Sequence, residues 1–338
     1  MKIIIVGGCG FIGANNFFSL KKKKNKITII DDLSGNSSKK NFLLIKKKYP
    51  KQSILRLNIK NYPKLKKFVR EINPNIILFA GGQIAVTKSI INPREDFNST
   101  LIGAFNVLEI IRLYCKKCKL IYLSSNKVYG NLKNLKLKER KLDYKNLNKK
   151  DVDENTPLDF ASPYGCSKGS SDQYVRDYSR TFNLNTVVFR LSCIYGQNQW
   201  GTEDQGWISW FIISSLKSSK INIFGNGKQV RDILHINDLV NLIQKSISSF
   251  SKVKGHIFNI GGGKKNSISL IQLIMKLQII HKNKIKYTLK KSRVGDQNYF
   301  VNDLGKIKKK LNWLPMINVE NGLINFNKWI KKNIVKQK

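Results

Sequence analysis

Tyr164 and Lys168 stand four residues apart in Ser162-Pro163-Tyr164-Gly165-Cys166-Ser167-Lys168. Ser162 is suited to cap a helix and Pro163 to open it, and a spacing of four puts the phenol and the amine on one face of its first turns. A free phenol titrates near ~10. A neighbouring ammonium stabilises the phenolate, so the pair predicts a proton-transfer base acting nearer neutral pH. An isolated pair of this kind is more often a core ring and a solvated charge, so the surroundings decide. Upstream, the apolar run Leu120 to Leu123 ends in Ser124-Ser125-Asn126-Lys127-Val128-Tyr129-Gly130. Hydroxyls at the mouth of a strand are placed to reach the same reacting atom as the phenol.

The elements that must position these groups begin at the first residues. Lys2 to Val6 predicts a short buried strand, followed at once by Gly7-Gly8-Cys9-Gly10-Phe11-Ile12-Gly13 and then by helical apolar spacing through Leu20. Gly7, Gly10 and Gly13 allow a tight turn and a close backbone approach to a pyrophosphate, with Phe11 and Ile12 at the positive end of the helix. The second strand, Ile27 to Ile30, ends in Asp31-Asp32. A carboxylate there accepts from an adenosine ribose diol and repels a 2′-phosphate, which favours NAD over NADP. The strand Ser53 to Leu57 leads to Asn58-Ile59, placed to contact an adenine edge. Ile76 to Phe79 is a fourth strand, and Ala80-Gly81-Gly82-Gln83 a small-residue turn at the carboxyl edge of the sheet, where open α/β sheets bind ligands. A helix from Thr100 to Tyr114 returns the chain to Leu120. The expected fold is a Rossmann-type doubly wound parallel α/β sheet with a smaller α/β substrate-binding lobe.

Further on, 131–150 reads as an exposed, lysine-rich loop. Thr186 to Phe189 reads as a buried strand with Arg190 to Gly196, including Cys193, as its functional edge. Trp200, Trp207 and Trp210 surround Asp204-Gln205-Gly206, either covering a site or forming a core. Gly225 to Asp232 reads as a hairpin turn before the strand Ile233 to His235 and a helix from Asn237. Strand 256–260 and helices 269–280 and 319–334 follow. Arg231 and Arg293 stand out where lysine is the usual cation; a planar guanidinium suits bidentate contact with a diphosphate, and an ion pair within the protein is the other reading. These elements predict a cofactor domain over 1–190, rejoined by 226–256, and a substrate lobe from 191–225 and 257–338.

Composition narrows the classes. The formal charge is +41, carried by ten arginines and 52 lysines spread along the chain in clusters such as Lys21 to Lys24 and Lys308 to Lys310. Arginine-rich or aromatic-interleaved patterns are missing, so no nucleic-acid partner is expected, although the diffuse field attracts anions. Cys115-Lys116-Lys117-Cys118 has zinc or redox spacing but no second pair, and the three histidines are distant; reduced thiols at a helix end, and no metal, are expected. No apolar run approaches the ~20 residues of a membrane span, and the chain opens into a strand rather than a leader. A cytoplasmic protein without a membrane partner is the expectation.

With the glycine turn, Ser125, Tyr164 and Lys168 together, the whole chain resembles the extended short-chain dehydrogenases/reductases of the nucleotide-sugar epimerase and dehydratase branch. Ser125 to Gly130, Ser162 to Gly169, Asp204 to Trp207 and Gly225 to Asp232 are similar to strings of epimerases that invert carbon 2 of a CDP-linked deoxysugar. The resemblance implies Tyr164 as acid/base, Lys168 lowering its pKa and holding the nicotinamide ribose, and Ser125 on the reacting hydroxyl. It implies bound NAD held by Gly7, Gly10, Phe11, Ile12, Gly13, Asp31, Asp32, Asn58, Ile59, Ala80, Gly81, Gly82, Ser124, Tyr164 and Lys168. It implies a CDP-linked deoxysugar met by Gln83, Ser125, Asn126, Lys127, Cys193, Gln205, Arg231 and Arg293, and a homodimer or homotetramer. The sequence departs from the family pattern at Phe79, where a His is usual, at Asn58, where an Asp reads adenine, and at Thr100, where an Asn is common. A UDP-hexose 4-epimerase uses the same triad and remains open. A 4,6-dehydratase needs carboxylates after the fifth strand, where Asn126-Lys127 stand, and a dinucleotide-binding protein without catalysis leaves the triad without a purpose.

Overall fold

The computed structural model describes residues 1–293 and 295–335; Val294 and 336–338, all within the expected substrate lobe, lie outside the described residues. Seven strands form the main sheet: β1 (Lys2–Val6), β2 (Lys26–Asp31), β3 (Ile54–Arg56), β4 (Ile76–Phe79), β5 (Lys119–Ser125), β6 (Asn185–Leu191) and β7 (Ile257–Ile260). Their order is β7-β6-β5-β4-β1-β2-β3. The pairs β1–β2, β1–β4, β2–β3 and β4–β5 all run parallel. Ile3, Ile4 and Ile5 are wholly buried, as expected of strands covered on both faces. The strand order reverses between β1 and β4, which places the turns after those two strands side by side at the switch point of the sheet.

Contacts divide the described residues into two compact units, Met1–Val128 with Ser162–Arg190 and Val240–Phe258, and Tyr129–Ala161 with Leu191–Leu239 and the described residues from Asn259 on. These boundaries differ from the expected ones. Residues 129–161 group with the second unit because Tyr129 Oη donates to Asn259 Oδ1 and the Val152 backbone pairs with Val301 and Asp303. The predicted loop 131–150 contains a short antiparallel pair, Leu137–Glu139 with Tyr144–Asn146. Leu135, Leu137 and Tyr144 pack on Val230, Tyr299 and Val301, and a bidentate Arg140–Asp143 ion pair closes the turn. Residues 226–239 also belong to the second unit. Their strand, Val230–His235, pairs there with Cys193–Tyr195, Ser267–Ser269 and Tyr299–Phe300. Gly225 to Asp232 is therefore no hairpin, since the preceding strand Ile221–Phe224 pairs in parallel with Tyr287–Lys290.

The core of the first unit gathers Ile4, Ile77, Phe79, Leu120 and Tyr122 of the sheet with Val107, Ile111, Val175 and Tyr178 of the helices. Phe79, at the position where the family usually has a His, is simply core: it is fully buried and its ring lies 5.3 Å from that of Tyr122. The predicted helix from Thr100 is preceded by a π-helical turn, Phe97–Ile102, and runs as α-helix over Gly103–Tyr114. It ends at Cys115, and Cys115 and Cys118 are buried, free thiols. In the second unit, Trp207 and Trp210 pack against a core that includes Ile212, Ile223, Leu273 and Phe326, and Trp200 meets Trp329 edge-on. Trp207 and Trp210 thus flank that core. Among the described residues no helix is long and apolar enough to cross a membrane.

Candidate active site

The glycine turn is built by exclusion. Gly7 has φ +68°, and a Cβ on it would lie 2.7 Å from the Ala80 carbonyl oxygen. A Cβ on Gly13 would overlap the Gly7 carbonyl oxygen and sit 2.7 Å from Gly8 Cα. The helix Phe11–Lys21 starts at Gly10 with no side-chain cap and no acidic residue in its first turn. The first amides of a helix need partners, and its end carries partial positive charge, so this turn fits a diphosphate.

Asp31 ends β2 and is buried; its Oδ2 accepts from the Cys9 amide and its Oδ1 from the Leu33 amide, both at 2.9 Å. Burial pushes its carboxyl upward in pKa, against the pull of those amides. Asp31 thus braces the turn, while the neighbouring Asp32 is exposed, accepting from Ser34 and from Asn58 Nδ2. Asn58 Oδ1 accepts the Lys60 amide, so the amide that replaces the usual acid is tied into its own loop; Ile59 next to it is buried. After β4, Gly82 has φ +99°, and the Thr100 hydroxyl accepts the Gln83 amide at 3.1 Å. Thr100 therefore fixes the Ala80–Gln83 turn from behind. The Gln83 side chain folds back, its Oε1 accepting the Ile84 and Ala85 amides.

The helix Pro163–Thr181 begins as its sequence implies: Ser162 Oγ accepts the Gly165 amide at 3.1 Å and proline opens the first turn. Tyr164 and Lys168 lie on its buried face. Lys168 Nζ donates to the Leu123 carbonyl at 3.2 Å and the Gly81 carbonyl at 3.4 Å, and stands 5.5 Å from the Tyr122 ring centre. Those carbonyls end β5 and follow β4, so one amine ties the helix to both strand mouths. Burial lowers its pKa to about 8. The Tyr164 phenol faces the Ser125 hydroxyl at the end of β5, which draws its pKa down. Ser125 Oγ also meets Asn126 Oδ1 and accepts the Lys127 amide. The structure brings Ser125, Tyr164 and Lys168 together, but it does not depress the phenol as the sequence suggests. Burial raises the Tyr164 pKa, Ser125 lowers it, and Asp96 adds to the rise. Desolvation outweighs the hydrogen bond because the ring is inside the helix–sheet interface.

Sequence reading missed the support beneath Ser124. Its hydroxyl donates at 3.0 Å to Asp172 Oδ2, and Asp172 takes Arg190 at 2.8 and 3.1 Å in a pair 0% and 3% exposed. Asp172 shares the helix of Tyr164 and Arg190 is the penultimate residue of β6, so a buried ion pair locks helix to sheet. The four- and eight-residue spacings Tyr164–Lys168–Asp172 were a readable signal, since all three fall on one helical stripe.

The second unit holds the remaining expected residues. Arg231 is buried on Val230–His235, with Nη2 donating to Asp296 Oδ1 at 2.6 Å and Nη1 to the Val230 carbonyl. Arg293 donates to the Glu203 carbonyl and to Asp204 Oδ1 at 3.3 Å, and its guanidinium lies 3.8 Å over the Phe224 ring. Each arginine is thus held in an ion pair of its own unit. Cys193 accepts from Trp207 Nε1, and Gln205 pairs with the Thr202 backbone. Asp232, beside Arg231, is wholly buried and accepts from Ser192, Gly263 and Asn302. No group of three or more His, Cys, Asp or Glu among the described residues is placed to hold a metal ion.

Comparison with known proteins identifies the family. A family profile described as GDP-mannose 4,6 dehydratase matches residues 4–325. CDP-paratose 2-epimerase of Salmonella typhi is 38% identical over 335 residues, covering 97% of this chain and 99% of that protein. UDP-glucose 4-epimerase of Thermotoga maritima, solved with UDP-glucose, is 25% identical with a TM-score of 0.84 over 99% of this chain and 100% of that one. dTDP-glucose 4,6-dehydratase of Bacillus anthracis, solved with NAD, is 26% identical with a TM-score of 0.81 over 98% and 97%. The chain belongs to the GDP-mannose 4,6 dehydratase family, within the extended short-chain dehydrogenases/reductases that comprise NAD-dependent epimerases and dehydratases.

Proposed function

We propose that the chain is an NAD-dependent epimerase that inverts carbon 2 of a CDP-linked deoxysugar, converting CDP-paratose to CDP-tyvelose. The observation that carries this is the full-length likeness to CDP-paratose 2-epimerase, at 38% identity. The clustering of Ser125, Tyr164 and Lys168, with Lys168 bonded to the Gly81 carbonyl, supports it.

A carbon bearing a plain hydroxyl has no acidic C–H, so inversion by direct proton removal is closed and oxidation opens the route. Oxidised NAD, when bound, supplies the hydride acceptor and a positive ring whose charge favours a phenolate. The fit rests on the turn where a Cβ at Gly7 or Gly13 has no room and on the uncapped helix start. Tyr164 takes the proton of the sugar hydroxyl and later returns it to the opposite configuration, Ser125 orients that oxygen, and Lys168 supplies a nearby positive charge and holds the ribose. Asp31 or Asp32 takes the adenosine ribose, and Asn58 the adenine edge. Arg231 and Arg293 anchor the diphosphate, each exchanging a carboxylate, Asp296 or Asp204, for phosphate oxygens. Anchoring at the diphosphate leaves the sugar free to turn between its two faces. We further place the protein in the cytoplasm as a homodimer or homotetramer, on family resemblance.

The test is to incubate the purified protein, with no added cofactor, with CDP-paratose, UDP-galactose or dTDP-glucose. Interconversion of CDP-paratose and CDP-tyvelose, with NAD released on denaturation, is the expected result. Turnover of UDP-galactose alone would move the assignment to a 4-epimerase, and loss of water from dTDP-glucose would move it to a dehydratase.

A further inference from the structure

One carboxylate is left over by the mechanism. Asp96 ends the short helix Pro93–Asp96, which packs against the Pro163–Thr181 helix, and its side chain is 0% exposed. Neither of its oxygens has a hydrogen-bond partner of normal geometry, although the Ser167 hydroxyl faces it. A carboxylate without donors, taken wholly out of water, is costly unless a nearby charge compensates. Burial pushes the Asp96 carboxyl up, and the Ser167 hydroxyl and the charge of Lys168, one residue further on, pull it back in part; Lys168 too is buried, and its own hydrogen bonds go only to carbonyls. We infer that Asp96 is the buried counter-charge of the Tyr164–Lys168 pair, a positioning residue that acts through Lys168 and not on substrate.

Lys168 is the buried cation of this neighbourhood. On the elements packed around Asp96, its charge bears on Tyr164 and Lys168 of the long helix and on Tyr122 of β5. The π-helical turn Phe97–Ile102 has no titratable side chain. Lys88 of the helix Val86–Ile91, and Arg94 and Glu95 beside Asp96, are exposed, with Glu95 in an ion pair with Lys60. The effect has one sign at both sites. Negative charge makes the Lys168 ammonium harder to discharge, and makes the Tyr164 phenol harder to ionise. Asp96 therefore moves both limits of the reactive state, phenolate with ammonium, to higher pH.

The inference rests on Tyr164 and Lys168 being the proton-transfer pair, so wild-type turnover is measured first. In Asp96→Asn, both limbs of the pH–rate profile should move to lower pH while KM stays constant, and Asp96→Glu should restore them. The near-ultraviolet absorbance change that Tyr164→Phe abolishes should titrate at lower pH in Asp96→Asn as well, a readout independent of turnover. A lower rate with unmoved limbs and an unmoved phenol titration would reduce Asp96 to packing and overturn the inference. A wild-type protein inactive on every nucleotide sugar would instead overturn the reading of the site, and the phenol titration would still decide the charge coupling.

Discussion

Replacing Gly13 by alanine tests whether the glycine turn is the cofactor cradle. The added methyl would overlap the Gly7 carbonyl oxygen and lie 2.7 Å from Gly8 Cα and 2.9 Å from the Gly7 carbonyl carbon. All three are backbone atoms, so no side chain can swing aside. The turn is also pinned: the Gly7 amide donates to Ile30 at 2.8 Å, the Gly7 carbonyl accepts from Gly10 at 3.0 Å, and Cys9 donates to Asp31. Relief requires the turn to open. Overpacking of this kind costs about 1–3 kcal/mol, and loss of the Gly10–Gly7 bond about 1 kcal/mol more. A total of about 2–4 kcal/mol, if it falls on binding, weakens NAD by roughly 30- to 1,000-fold. Titration calorimetry of NAD into stripped protein measures the affinity, and thermal unfolding separates any loss of stability. Gly10→Ala should lose less, since its Cβ would meet only the Gly7 oxygen, at 3.1 Å. Gly35→Ala should be silent, because only the Ser38 hydroxyl lies near. An affinity for NAD in Gly13→Ala within about threefold of the unchanged protein would refute the cradle.

Tyr164→Phe should keep NAD and the fold while losing about 10²–10⁴ in turnover; activity above a tenth would put the proton elsewhere. Lys168 is charged below about pH 8, so turnover should fall as pH rises through that value. Its folded pKa lies below the ordinary 10.5, so the burial penalty is full below about pH 8 and relieved towards 10.5. Denaturant unfolding should show this group's contribution to stability rising across that window, and Lys168→Met should flatten the rise. Asp172→Asn takes the carboxylate from a buried guanidinium and should cost about 3–5 kcal/mol in urea unfolding; a change below about 1 kcal/mol would mean the network does not lock the helix. Arg231→Lys loses the planar fork, so KM for the CDP-sugar should rise with NAD content unchanged; an unaltered KM would remove Arg231 from the diphosphate site.

Much of the first unit was legible because its signals are local. A buried strand, a glycine turn and a helix start succeed one another within the first twenty residues. The Ser162 cap and Pro163 fix where the helix of Tyr164 begins within a single turn. The misreadings have a different origin. Gly225 to Asp232 has the composition of a hairpin, yet the strands on either side find partners far along the chain, because pairing depends on what the fold brings alongside. The stretch 131–150 looked like a solvated loop because lysines outnumber its few apolar residues, and Leu135, Leu137 and Tyr144 matter only once Val301 and Tyr299 are beside them.

The residue types and spacings alone determined a parallel α/β sheet with a dinucleotide turn, and a phenol, an amine and a hydroxyl that belong to one helix face and one strand end. Packing alone decided their chemistry. Whether Tyr164 holds its proton turns on how deeply it is buried, and burial is a property of the assembled helix and sheet. Which acid meets Arg231 is settled by Asp296, 65 residues away, and which anion answers Lys168 by Asp96 on a separate helix. Charges act through space and desolvation acts through volume, so neither can be read from neighbours along the chain.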